Sequence, residues 1–227
     1  NQEVKKRISG DMNTEMLKFI QSQTPQDEVC DAYQNLLINE PQDIQSKKEF
    51  INHIADNFTQ YLRLGHIDII YEEKTLGPRI TNNPNESQDK SNNGQMLGGY
   101  NRLNDTVLIN DGLMTTFKGN DLLNTITHEL THAKQAANMK AYLSYMKTPK
   151  LIEKLQLQNV RCTPDFDPKN LSKNDKIMLL SNIMGFIQQN EKLCEYRLYN
   201  HELEAFAVGN KVSGQAKQPY KKTININ

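Results

Sequence analysis

The sequence predicts an α+β chain, mainly helical, with a small β-sheet packed on one of its helices. Three observations carry that class. Apolar residues recur at helical spacing in several stretches, two short β-branched runs lie among them, and a capped helix follows directly on the second run. The 227 residues are ample for a buried core, and a small disulfide scaffold is excluded.

The first third reads as helical. Over residues 46–64, Phe50, Ile51, Ile54, Phe58, Tyr61 and Leu62 fall on one face, and Gly65 is placed to stop the helix. His53 and His66 lie in or just beyond this stretch as lone histidines and receive no role. Residues 67–71 are too short for a helix and read as a strand. The run TNNPNESQDKSNNGQ, residues 81–95, has almost no apolar side chain and is expected to form a mobile surface loop. Val107, Leu108 and Ile109 form the second strand, and Asn110, Asp111 and Gly112 bring turn chemistry. A helix then starts near Asn120 or Asp121 and turns Leu122, Leu123, Ile126, Leu130, Ala133 and Ala137 inward. The loop RCTPDFDPKN carries Pro164 and Pro168. After it, Ser172 and Asp175 resemble a capping box ahead of an inward stripe of Ile177, Leu180, Ile183 and Met184. A last helix spans residues 194–210. The division expected is an N-terminal helical region over residues 1–66, a core over 67–212 containing the mobile loop, and a flexible tail over 213–227.

Composition narrows the partners. Lys plus Arg and Asp plus Glu both total 27, so no field of one sign attracts nucleic acid or an anionic membrane. The 26 Asn and 17 Gln raise polarity without charge, which we read as composition bias. No apolar run approaches the roughly 20 residues needed to cross a bilayer. Cys30, Cys162 and Cys194 follow neither metal nor disulfide spacing and are expected as free thiols. The chain starts at Asn1, so a trimmed chain is expected and its localisation stays open.

Within the capped helix stands His128-Glu129-Leu130-Thr131-His132, an H-E-x-x-H arrangement. Residues four apart lie one turn from each other, so both imidazoles can meet a single Zn²⁺ while Glu129 reaches toward its water. A catalytic zinc takes three protein ligands, and no third histidine follows closely. The segment NHELEAFAVG offers Glu202 and Glu204, which stand about 200° apart on a helix and cannot both face the metal. Each has an alanine three residues later, so small neighbours do not separate them.

From these residues the chain resembles the glutamate-liganded zincins over residues 100–211. ELEAFA is similar to the ligand segment of lethal-factor-type toxin peptidases, and Glu204-x-x-Ala207-Val208-Gly209 to that of type III effector metalloproteases. Both alignments select Glu204. The resemblance implies a zincin-like fold holding one catalytic Zn²⁺ on His128, His132 and Glu204. It also implies peptide hydrolysis with Glu129 as general base, and Tyr196 or Tyr199 as donor to the oxyanion, with Tyr145 a poorer candidate. The partner implied is a protein or peptide substrate, extending to a host protein met by a bacterial protease delivered into the host cytosol. Two other classes remain: a zincin-like interaction protein without turnover, and a metal-dependent hydrolase of a non-peptide substrate.

Overall fold

The computed structural model describes residues 24–39, 41–72, 97–190 and 200–214. The expected loop over 81–95, Cys194, Tyr196, Tyr199 and the tail beyond residue 214 lie outside the described residues. The helices are α1 (Asp27–Asn35), α2 (Ile44–Tyr61), α3 (Gly119–Tyr145), α4 (Pro149–Lys154), α5 (Lys173–Asn190) and α6 (Asn200–Val212). The strands are β1 (Asp68–Glu72), β2 (Gly98–Asn101) and β3 (Thr106–Asn110). The chain is therefore α+β and mostly helical, as its periodicities predict.

Helix α2 starts where the Asp43 carboxylate accepts from the Ser46 N–H at 2.8 Å, and it ends before Gly65, whose φ is +75°. Its inward face is Ile51, Ile54, Ala55 and Phe58, whereas Tyr61 is left exposed. Two lysines tie this helix to α3. The buried Lys47 amine donates to the carbonyls of Met114 and Phe117, bracing the approach to α3, and Lys134 donates to the carbonyl of Leu62. Burial and the neighbouring Arg63 push the Lys134 amine down to about 8.

The three strands are ordered β1-β3-β2, with β3 central, parallel to β1 and antiparallel to β2. Strands β2 and β3 are joined by a turn whose buried Asp105 accepts from the Tyr100 hydroxyl and from Arg161, fixing the end of β2. Gly98 lets β2 lie close on α3, because a Cβ there would stand 2.7 Å from Thr125 Cγ2.

Helix α3 is central. Its six predicted inward residues are all buried, and it packs most extensively against α6. The core runs without a break from Cys30 and Tyr33 through Ile51 and Phe58 to Leu122, Leu130, Val208 and Val212. Helix α5 departs from expectation. The Ser172–Asp175 capping box forms, with the Asp175 N–H donating to Ser172 Oγ at 3.1 Å and the Ser172 hydroxyl to Asp175 at 2.6 Å. The inward residues, however, are Met178, Leu179, Ile183 and Phe186, while Ile177, Leu180 and Met184 are exposed. This helix is apolar on two faces, so its period fits either, and the packing of Phe186 against His201 goes with the face that turns inward.

Candidate metal centre

Helix α3 presents His128 and His132 one turn apart, with their Nε2 atoms 3.1 Å from each other and both rings buried. Helix α6 crosses it at a point set by Gly209. A Cβ at that residue would fall 2.8 Å from Asn124 Oδ1, 2.9 Å from the Asn124 carbonyl and 3.3 Å from His128 Cβ. With Ala205 fully buried one turn earlier, α6 comes close enough for Glu202 to reach the imidazoles. Its Oε2 lies 3.4 Å from His128 Nε2 and 3.3 Å from His132 Nε2.

The expectation of Glu204 in this place is corrected, since the carboxylate beside the histidines belongs to Glu202. Glu204 lies about 200° around α6, and its Oε2 accepts from Gln135 Nε2 at 2.7 Å and from Asn182 Nδ2 at 2.9 Å. The signal that separates the two was present in the sequence. Glu202, Ala205, Gly209 and Val212 follow the i, i+3, i+7, i+10 spacing of one helix face, whereas seven residues beyond Glu204 stands Lys211.

The three atoms fit a metal ion. A tetrahedral ion with ligands at about 2.0–2.1 Å holds its ligand atoms about 3.3 Å apart, which the three separations match. Glu202 Oε2 is buried and, among the described residues, accepts no well-aligned hydrogen bond, an arrangement that costs stability unless a cation meets it. Two imidazoles and a carboxylate also suit a divalent transition ion. Among the described residues, His128, His132 and Glu202 make one group able to hold a metal.

The charges around the group are coupled. Burial disfavours charging His132, but the carboxylates of Glu202 and Glu129 outweigh it and lift the imidazole to about 9. Burial likewise works to raise the Glu202 carboxyl, and the imidazolium of His132 with the other two imidazoles holds it well below the usual carboxylate range.

Glu129, also buried, has Oε1 4.0 Å from His128 Nε2 while Oε2 accepts from the Tyr100 N–H at 2.8 Å. Sequence reasoning did not find this backbone partner on β2. Nor did it find Gln135, whose Oε1 stands 2.9 Å from His132 Nδ1. His201 also stands beside the centre: its ring stacks on Phe186 at 4.0 Å, and its Nε2 lies 3.4 Å from Glu202 Oε1. Burial lowers its basicity. Tyr145 stands exposed at the far end of α3. His53 and His66 are both exposed, His66 against Asp56 at 3.2 Å. Cys30 and Cys162 are free. No helix among the described residues is long and apolar enough to cross a membrane. In comparisons with known proteins, no family model, curated protein or solved structure matches the chain.

Proposed function

We propose that this chain is a zinc-dependent endopeptidase of the glutamate-liganded zincin type. The observation that carries the reading is the convergence of His128, His132 and Glu202, with the Glu129 carboxylate held at its edge. A zinc ion on those three groups would supply Lewis acidity and a water made acidic near neutral pH. Two neutral imidazoles and one carboxylate would leave a divalent ion with net positive charge, which that chemistry needs.

The chain's own residues supply the proton transfers. Glu129 takes a proton from the attacking water and passes it to the departing amine nitrogen. The Tyr100 N–H fixes Oε2 and leaves Oε1 on the side of the imidazoles, so the base is oriented before substrate arrives. His128, Glu129 and His132 are buried, which strengthens the electrostatic interactions among them. The oxyanion donor proposed, Tyr196 or Tyr199, rests on the family resemblance alone.

The substrate proposed is a protein or peptide. The likeness to type III effectors depended on Glu204 as ligand, whereas the carboxylate beside His128 and His132 is that of Glu202. The toxin-type spacing of a ligand Glu three residues before an Ala is kept by Glu202 and Ala205.

The test is Glu129→Gln against the natural chain, read by zinc content and by N-terminal labelling of a peptide pool and of a host lysate. Glu129→Gln retains zinc and loses the new N-termini. Turnover by that variant overturns the role of Glu129, and zinc without any turnover in the natural chain favours an interaction protein.

A further inference from the structure

Glu204 lost its place as a ligand but keeps a connection to the centre. Three hydrogen-bonding groups run outward from His132. Its Nδ1 faces Gln135 Oε1 at 2.9 Å, Gln135 Nε2 faces Glu204 Oε2 at 2.7 Å and the His201 carbonyl at 2.9 Å, and Asn182 Nδ2 donates to the same Glu204 oxygen at 2.9 Å. Gln135 and Asn182 are buried, at 3 % exposure each.

Which way the Gln135 amide points follows from these partners. Its outer atom meets a carboxylate and a carbonyl, both of which only accept. An oxygen there would oppose two oxygens, so the outer atom is the NH₂ and the inner atom the C=O. That carbonyl can only accept, so His132 Nδ1 must carry a hydrogen and donate it. With Nδ1 so occupied, the lone pair of the neutral ring sits on Nε2, the atom that faces His128 and Glu202.

We infer that Glu204 and Gln135 form a relay that sets the tautomer and ring orientation of His132, Glu204 acting as a positioning residue through the Gln135 amide. The inference rests on the reading of His132 as a metal ligand. A carboxylate bonded directly to a ligand imidazole is the common way to orient it. Here an amide stands between, so the carboxylate's charge is kept one residue further from the ion. The relay also ties α3, α5 and α6 together at the centre, because Gln135, Asn182 and Glu204 come from the three helices. Glu204 is half-buried.

The relay predicts a pattern that a plain tie between helices does not. Zn²⁺ alone is titrated into the full chain against a chromophoric chelator. The Nδ1–H of His132 is followed in the zinc-loaded protein by ¹⁵N NMR. Gln135→Leu lowers zinc affinity by about 10–100-fold and removes the protected Nδ1–H signal. Glu204→Leu lowers affinity by a smaller factor in the natural background but has no further effect on top of Gln135→Leu, since its influence passes through that amide. Glu204→Gln restores most of the affinity, because its carbonyl accepts from Gln135 Nε2. Thermal unfolding of each metal-free variant separates a folding defect from a loss of affinity. An effect of Glu204→Leu that persists undiminished beside Gln135→Leu overturns the relay, as does an unchanged Nδ1–H signal in Gln135→Leu. Absence of zinc binding by the natural chain overturns both this inference and the function on which it rests.

Discussion

At His132 the proposed metal ion would compete with a proton for one position. The imidazole titrates near 9 when the metal is absent, against an ordinary 6.5, with Glu202, Glu129, His128, His201 and Gln135 around it. A folded-state value above the unfolded one means that the proton's contribution to stability is fully present below pH 6.5 and is lost as pH rises to about 9. A bound metal must displace that proton. The rise in unfolding temperature on metal loading is therefore expected to grow across this window, with about one proton released per ion below pH 9. Calorimetry in buffers of different ionisation enthalpy reads the proton directly. A metal-induced stabilisation that is flat from pH 6.5 to 9 would count against His132 as the protonated competitor.

At the scale of elements, two glycines press neighbours onto α3. Gly98 admits β2 beside Thr125, and Gly209 admits α6 beside Asn124. Gly209→Ala puts a methyl group within 3 Å of a backbone carbonyl, which cannot rotate away. The expected cost is about 1–3 kcal/mol in folding stability, together with weaker metal binding as Glu202 retreats. Chemical denaturation with and without metal tests this, and an unchanged affinity would mean that α6 is not held by the crossing. The same elements show what the sequence could convey. The α3 stripe and the H-E-x-x-H pair were legible because one periodic helix carries both. The choice of Glu202 was legible too, through Gly209 two turns on, but the alanines three residues after each glutamate masked it. The inward face of α5 was not legible, because Ile177, Leu180 and Met184 recur at helical spacing just as Leu179, Ile183 and Phe186 do. Only contact with His201 and neighbouring helices selects between such faces. The Tyr100 N–H was beyond reach for another reason: a backbone donor leaves no mark in residue type.

For the molecule as a whole, the continuous core makes the early helices part of what holds the centre. Phe58 is fully buried, stacks on Tyr61 at 5.5 Å and meets Tyr33 edge-on at 5.7 Å. Phe58→Ala is expected to cost about 3–5 kcal/mol, and loss of helicity and release of metal should coincide on heating. Metal release at a clearly different temperature from the loss of helicity would show that the centre unfolds separately from the early helices.

The bond from Tyr100 to Glu129 has a consequence for how copies of the chain behave toward one another. Among the described residues strand β2 is an edge of the sheet, and Tyr100 turns its N–H away from β3. An unpaired donor on an edge strand is a template for a strand from another molecule. The buried carboxylate closes that position, so the residue proposed to move protons is also expected to limit pairing between copies of the chain. Glu129→Gln keeps an oxygen that can accept, whereas Glu129→Ala leaves the donor open. Light scattering at increasing concentration should then find the alanine variant more prone to associate than the glutamine variant, although neither is expected to turn over peptide.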